Sequence, residues 1–171
     1  MGFGAYDRFA PLPEELSGLK FPFTARFYIR RALCPAVDVE ESARLLDLAM
    51  QSVLASGLGS ASPESTALVL YLSRRYLEQS TPNVPQLEAA YYALTFKPHV
   101  GEAVREEKAR LMKSFEVAHR LCQLFTASGE QEKVKYYADK SLEFLDHGPQ
   151  YLAASFANHP LRREFENYSK K

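Results

Sequence analysis

Apolar residues recur at three- and four-residue intervals along most of the chain, a spacing typical of amphipathic helices. No segment alternates apolar and polar residues as a half-buried strand would, so the pattern predicts an all-α fold. The first long stripe is wide, which predicts a helix buried on two sides. It consists of Val39, Ala43, Leu46, Met50 and Val53, widened by Leu45, Leu48 and Ala49.

Polar residues and prolines predict where the helices begin. Asp38 with Glu41, and Ser128 with Gln131, have the spacing of capping boxes, in which each side chain satisfies a free backbone N–H. Pro63 is expected at a first helical position, where its missing N–H costs no hydrogen bond. Two further starts are predicted by Ser62 with Pro63 and by Asn83 with Pro85.

Four later apolar stripes predict the remaining long helices. The charged stretch 102–117 is compatible with one long helix or with two that bend near Lys113. Gly148 and Pro149 end the last long helix, and two short helices are expected around 152–157 and 161–168. The stripes are Leu68, Tyr71, Leu72 and Tyr76; Leu87, Ala90, Tyr91 and Leu94; Phe115, Ala118, Cys122 and Phe125; and Val134, Tyr137, Ala138, Ser141, Leu142 and Leu145.

Residues 1–23 combine prolines with aromatic side chains, and a short basic helix is predicted to follow from Thr24 to Leu33. Pro11, Pro13 and Pro22 exclude a continuous helix, which predicts an extended N-terminal arm. Its apolar surface is too large for a solvated tail, so the arm is expected to lie on its own domain or on a partner. The candidate partner-binding residues are Phe3, Tyr6, Phe9, Phe21 and Phe23.

The spacing of the helices suggests a repeat. Helix pairs of about 35 residues, starting near Val39, Val84 and Met112, predict a short right-handed array of about seven helices, similar to pentatricopeptide and tetratricopeptide repeats. The starts are unevenly spaced, so the repeats are expected to be degenerate. We therefore predict two parts: an arm over residues 1–23 and a single all-α domain over residues 24–171.

Composition narrows the possible partners. The 171 residues include 21 Lys and Arg and 21 Asp and Glu, for a formal net charge of +0. A neutral chain attracts phosphate backbones weakly, so we expect no direct nucleic-acid partner. No apolar run approaches the roughly 20 residues that cross a bilayer, so no membrane insertion is expected. Cys34 and Cys122 have neither disulfide-framework nor zinc spacing and are interpreted as small core residues.

Candidate chemistry is sparse. The loop at Gly57–Ser62 lacks the third glycine of a dinucleotide fingerprint, and the adjacent pairs Glu40 with Glu41 and Glu106 with Glu107 point to different helix faces. None of the four histidines has metal-ligand spacing. We therefore expect no catalytic residue, cofactor, metal or small-molecule substrate. The histidines are His99, His119, His147 and His159.

Residues 115–149, FEVAHRLCQLFTASGEQEKVKYYADKSLEFLDHGP, resemble a pentatricopeptide-type helix pair. RNA-reading members of that family carry Asn, Ser or Thr at the base-reading positions, where this chain has His119 and Arg120. As a whole, the chain resembles the additional small F1 subunits of mitochondrial ATP synthase in trypanosomes and related euglenozoans. The likeness covers its length, the segment GAYDRFAPLPEELSGLKFPFTARFYIRRAL at residues 4–33, and the helix pairs of residues 39–149.

This resemblance implies a non-catalytic subunit within a large complex, bound to the outside of an ATP synthase α-subunit, with nucleotide chemistry left to the α- and β-subunits. It also implies a location on the matrix side of the mitochondrial inner membrane, after removal of any presequence. Two alternatives stay open. One is an organellar RNA-binding protein of the pentatricopeptide type, which would need a basic groove. The other is a free-standing tetratricopeptide-like adaptor that binds a peptide in its concave face.

Overall fold

The computed structural model describes residues 9–56, 63–95 and 104–170 of the chain. Within these ranges the fold is all-helical, which confirms the predicted class. The described residues form nine α-helices, more than the predicted seven, in part because a short helix forms inside the segment predicted to be extended. They are α1 (Glu14–Ser17), α2 (Phe23–Ala32), α3 (Val39–Ala55), α4 (Pro63–Glu78), α5 (Val84–Thr95), α6 (Val104–Ser128), α7 (Gln131–His147), α8 (Ala153–Ala157) and α9 (Arg162–Lys170), with a 3-10 helix at Gln150–Leu152.

Most helix boundaries agree with the sequence pattern. Helix α4 begins at Pro63, and the Asn83 side-chain oxygen accepts the N–H of Gln86 at 3.0 Å to open α5. Helix α6 is one continuous helix of 25 residues, so the alternative with a break near Lys113 is wrong. The predicted loop at residues 57–62 lies outside the described residues, as does His99.

One of the two predicted capping boxes forms in part. The Asp38 carboxylate accepts the N–H of Glu41 at 2.8 Å and caps α3. Instead of reaching back to the Asp38 N–H, the Glu41 carboxylate pairs with the guanidinium of Arg44 one turn later. This pair lowers the pKa of Glu41, mainly through the hydrogen bond from Arg44.

The second predicted capping box, Ser128 with Gln131, is wrong. Ser128 is the last residue of α6, and Gly129 follows with a φ of +79°. The N–H of Glu130 bonds to the carbonyl of Phe125 at 2.9 Å, and the N–H of Gly129 bonds to the carbonyl of Thr126 at 3.2 Å. These two bonds are a Schellman motif, so the backbone of a helix end, not a side-chain cap, makes the turn into α7.

Residue contacts divide the chain into two compact units, with the boundary inside α4 between Leu72 and Ser73. In the first unit α2 packs against α3, and the Ser42 hydroxyl of α3 donates to the carbonyl of Ala32 at the end of α2, at 2.8 Å. Its core includes Leu16, Phe21, Ala25, Ile29, Ala32, Cys34, Leu45, Leu46, Ala49, Val53, Leu68, Val69, Tyr71 and Leu72.

The wide stripe predicted for α3 is buried only in its middle and C-terminal parts. Leu45, Leu46, Ala49 and Val53 are all buried. Val39 was expected in the same stripe but is 71% exposed, because it is the first helical residue and lies in the solvent-facing acidic first turn. Ala43, Leu48 and Met50 are half-buried, so the buried part of the stripe is narrower than predicted and does not include its first turn.

In the second unit α6 packs against α5, α7 and α9, while α7 packs against α6, α8 and α9. Aromatic rings fill the space between these helices. The Tyr137 ring stacks on Phe125 with centroids 6.0 Å apart and meets Tyr91 edge-on at 5.1 Å. Phe115 meets Phe156 of α8 edge-on at 5.3 Å. Such offset and edge-to-face pairs add to the stabilisation that burial alone provides.

The predicted apolar face of α7 is confirmed except at its edge. Val134, Tyr137, Ala138, Ser141 and Leu145 are buried. Leu142 is only half-buried, so it lies at the border of the packed face instead of its middle.

Arg110 of α6 is a charged residue in the core, with 2% of its surface exposed. Its guanidinium donates to the carbonyl of Leu94 in the last turn of α5, and it lies 3.8 Å from the carboxylate of Glu107. The last carbonyls of a helix have no partner within the helix and carry partial negative charge. Arg110 therefore ties the end of α5 to the first half of α6.

Helix α9 is held by one apolar anchor with polar contacts around it. Phe165 is fully buried. The Arg162 guanidinium donates to the Asp146 carboxylate of α7 at 2.6 Å, and His119 of α6 contacts the Glu164 carboxylate. The two short helices predicted to close the chain are thus confirmed, and the second is packed against both α6 and α7.

The Schellman turn predicts opposite effects for two glycine substitutions. Gly129→Ala should reduce the free energy of unfolding by about 1–2 kcal/mol, because a Cβ disfavours the left-handed conformation. No atom lies within 4 Å of the position of that Cβ, so backbone strain alone is tested. Gly18→Ala, which also has open space and a φ of −87°, should be neutral or stabilising by about 0.4–1 kcal/mol. Urea unfolding measures both, and equal effects would contradict the assigned turn.

The burial of Arg110 predicts a large effect for a substitution that preserves most of the packing. Arg110→Met should lower the free energy of unfolding by about 1–3 kcal/mol, since the Leu94 carbonyl loses its buried donor. Lys113→Met is the control on the same helix, because Lys113 pairs with Glu116 at the surface, and its effect should stay below about 0.5 kcal/mol. Indistinguishable unfolding curves for the two variants would show that Arg110 is not a structural link.

Candidate protein-binding groove

The described part of the N-terminal segment lies along α2. The N–H of Ala10 donates to the carbonyl of Arg30 at 2.8 Å. In turn, Nε of the Arg30 side chain donates to the carbonyl of Ala10 at 2.9 Å. The Arg30 guanidinium also lies 5.7 Å from the ring centroid of Phe9. These contacts hold the backbone of Phe9 and Ala10 beside the last turns of the helix.

Two apolar side chains anchor the rest of this segment in the core of the first unit. Leu16 is fully buried and Phe21 is 4% exposed. The backbone N–H of Lys20 donates to the buried Glu64 carboxylate at 3.2 Å. Residues 9–22 are therefore part of the folded unit. The expectation of an arm extended throughout is wrong, since α1 forms within it and Phe23 already belongs to α2.

A groove of about 680 Å³ opens between the segment and α2. Its aromatic wall includes Phe9 and Phe27, whose ring centroids are 5.3 Å apart. Its cationic groups are two guanidinium groups on the same helix. The groove is lined by Phe9, Pro11, Leu12, Ser17, Phe23, Arg26, Phe27 and Arg30.

Helix α2 can line this groove because it has two different faces. Its inner face consists of Ala25, Ile29 and Ala32, which are buried. Its outer face has aromatic residues in contact with solvent: Phe23 is 77% exposed and Phe27 is 39% exposed. An exposed aromatic pair beside cationic groups is typical of a surface that binds another molecule.

The five aromatic residues predicted to bind a partner have different positions. Phe3 and Tyr6 lie outside the described residues. Phe21 is buried in the core, so it is not accessible to a partner. Phe9 is half-buried against Phe27, and Phe23 is the most exposed large apolar side chain among the described residues.

Only Phe9 and Phe23 of the groove residues were predicted from sequence, and the missed residues include three on α2: Arg26, Phe27 and Arg30. The sequence contains a signal that could have found them. Phe23 with Phe27, and Arg26 with Arg30, are each four residues apart, so each pair occupies one side of a helix. Classifying residues 24–33 only as a basic helix obscured this arrangement.

The second unit contains buried and half-buried groups that could carry chemistry in a different environment. The Cys122 thiol is fully buried, and burial raises its pKa to about 12, so it stays protonated near neutral pH. Tyr137 donates to the Glu88 carboxylate at 2.6 Å, and burial, followed by this contact, raises the pKa of Tyr137. Burial lowers the pKa of His159, which accepts the N–H of Leu161 at 3.1 Å.

Cys34 and Cys122 are both buried in the core as reduced thiols, as predicted. In the described ranges, no three His, Cys, Asp or Glu side chains are grouped so as to hold a metal ion. None of the helices in those ranges is both long and apolar enough to cross a membrane.

Comparison of the chain with protein-family models, with curated proteins and with solved structures found no significant match.

The different positions of Phe21 and Phe23 predict different effects of one substitution. Phe21→Ala should lower the free energy of unfolding by about 3–5 kcal/mol, because it removes a buried ring from the core. Phe23→Ala should change it by less than about 0.5 kcal/mol, because that ring is mostly in water. Thermal or urea unfolding of the two full-length variants tests this, and a comparable loss in both would place Phe23 in the core.

Proposed function

We propose that this protein is a non-catalytic subunit of the F1 sector of mitochondrial ATP synthase that binds the outside of an α-subunit. The resemblance of the sequence to the additional small F1 subunits is the basis for the identity of the complex and for its location on the matrix side of the inner membrane. The observation that carries the binding role is the outer face of α2, where Phe23 is 77% exposed beside Phe27 and Arg26.

An exposed phenylalanine ring is unfavourable in water. Covering that ring with a partner therefore favours binding. Burying a large apolar side chain is worth about 1.5–3 kcal/mol. Aromatic and arginine side chains are also the ones that dominate binding energy at protein interfaces. Phe23, Phe27 and Arg26 together supply both types on one helix face.

The groove is already formed by the chain itself, which favours binding. Leu16 and Phe21 hold the segment in the core, and the paired hydrogen bonds between Ala10 and Arg30 hold it on α2. A preformed surface loses less conformational entropy on association than a segment that orders when it binds. Phe3 and Tyr6 stay proposed contacts of the segment that precedes this surface.

We further infer that helices α5 to α9 form a degenerate helical-repeat array. This inference is supported by the packing of α5 on α6, of α6 on α7 and of α7 on α9, which follows the order of the chain. Stacking of successive helices is the arrangement that repeat proteins use to share one continuous core.

The proposal predicts the size and composition of the native assembly. The tagged full-length protein, expressed in its source cells and purified after mild detergent and nuclease treatment, should be recovered with F1 α- and β-subunits in a complex of F1 size. Native gels and mass spectrometry of the co-purifying chains measure this. The variant Arg163→Glu changes an exposed arginine of α9, outside the groove. It should be recovered with the same subunits, which controls for the effect of reversing a surface charge.

Two results would contradict the proposed function. Recovery of the protein alone, or with one small partner, would favour the free-standing adaptor. Loss of co-purifying material on nuclease treatment, together with binding of single-stranded RNA, would favour the organellar RNA-binding protein.

A further inference from the structure

The outer face of α2 presents two parallel rows of side chains to the groove. Phe23 and Phe27 form an aromatic row, and Arg26 and Arg30 form a cationic row beside it. Residues four apart in a helix are separated by about 6 Å along the axis and lie on the same side. Any segment that lies along α2 therefore meets apolar surface on one side and positive charge on the other.

No acidic side chain of α2 balances the positive charge of this surface. Residues 17–37 contain four basic residues and no acidic residue. The side chain of Arg26 is exposed and makes no hydrogen bond or ion pair with any other described residue. Arg30 uses Nε to bind the Ala10 carbonyl, and its guanidinium still lines the groove. The surface thus has cationic hydrogen-bond donors beside the aromatic row.

We propose that the groove binds an acidic amphipathic segment of a protein partner. Its apolar side chains cover Phe23 and Phe27, and its carboxylates pair with Arg26 and Arg30. Charge complementarity selects this occupant, because carboxylates match the fork of an arginine guanidinium. The proposal rests on the binding role proposed above but not on the identity of the complex.

The dimensions of the two rows fit a segment with regular structure. Carboxylates four residues apart on a helix are separated by about 6 Å, the same spacing as Arg26 and Arg30. An amphipathic helix laid in a groove binds in this way, with apolar anchors at i and i+4 and charged residues on the flank.

A protein segment fits this surface better than a nucleic acid does. The chain has a formal net charge of +0, so no extended field gathers phosphates around it. Two guanidinium groups neutralise at most about two phosphates, whereas a protein that holds a nucleic acid through its backbone makes about 6–10 such contacts. Two carboxylates and two apolar side chains, in contrast, are enough to occupy the rows on α2.

The experiment is selection of random 12-residue peptides displayed on phage against the immobilised full-length protein. We expect a consensus rich in Asp and Glu next to Leu or Phe. The selected peptide, made synthetically with a fluorophore, should bind Arg26→Glu and Phe23→Ser at least about tenfold more weakly than the unsubstituted chain. Arg163→Glu is the control of equal charge change and should bind it unchanged. Circular dichroism verifies that each variant is folded.

Several outcomes would overturn the proposal. The first is a neutral or basic consensus, and the second is binding that Arg26→Glu leaves intact. The third is binding of a labelled 20-nucleotide single-stranded RNA that Arg26→Glu abolishes in the absence of peptide binding. The fourth is peptide binding that appears only in the Phe3→Ser, Tyr6→Ser double variant, which would make the chain's own N-terminus the occupant. The fifth is a dimer in sedimentation that Arg26→Glu dissociates, which would make a second copy the occupant.

This test separates the groove from the complex. Selection of acidic peptides without co-purification of F1 subunits would overturn the proposed complex and keep the groove. Co-purification of F1 subunits with both the Arg26→Glu and Phe23→Ser variants, at unchanged yield, would overturn the groove and keep the complex.

Discussion

A buried positive charge determines how the second unit is assembled. A guanidinium in the core is tolerated only when hydrogen bonds and an opposite charge replace its water, and Arg110 finds these at the Leu94 carbonyl and at Glu107. Glu107 lies on α6 itself, whereas the Leu94 carbonyl belongs to α5, so the bond to Leu94 gives the end of α5 one register relative to α6. Apolar packing alone would tolerate small shifts along the helices, because it is not directional. With α5 placed, the other sides of α6 are left for α7 and α9.

Much of this fold could be predicted from sequence, because its helices obey local rules. The stripe from Leu87 to Leu94 and the cap at Asn83 depend only on neighbours along the chain, and the structure contains both. Arg110 could not be predicted in this way. It lies in a stretch of alternating charges that has the pattern of a solvated helix face, and its burial depends on a carbonyl 16 residues away. The capping box predicted at Ser128 is wrong for a related reason. Gly129 makes a backbone turn that takes the place of the side-chain cap.

Prediction from sequence has the same limit for the single residues of the groove. Composition predicted aromatic anchors in residues 1–23, but it could not tell which of them the chain uses for its own core. Phe21 and Phe23 are two residues apart, yet one is 4% and the other 77% exposed, because α2 begins between them and turns Phe23 outward. The positions of Arg26 and Phe27 follow from the inner face of α2, which is fixed by packing against α3. The four-residue spacing in residues 23–32 shows which side chains share a face of α2, but it does not show which face the core covers.

Arg30 connects the stability of the first unit with the surface it offers. The same side chain binds the Ala10 carbonyl, lies over the Phe9 ring and lines the groove. One wall of the groove is therefore held in place by a group that also faces its interior. A carboxylate that approaches Arg30 meets the terminal nitrogens, because Nε is already engaged with the backbone. The guanidinium is thus held in one orientation before any partner arrives, so less side-chain entropy is lost when a carboxylate pairs with it.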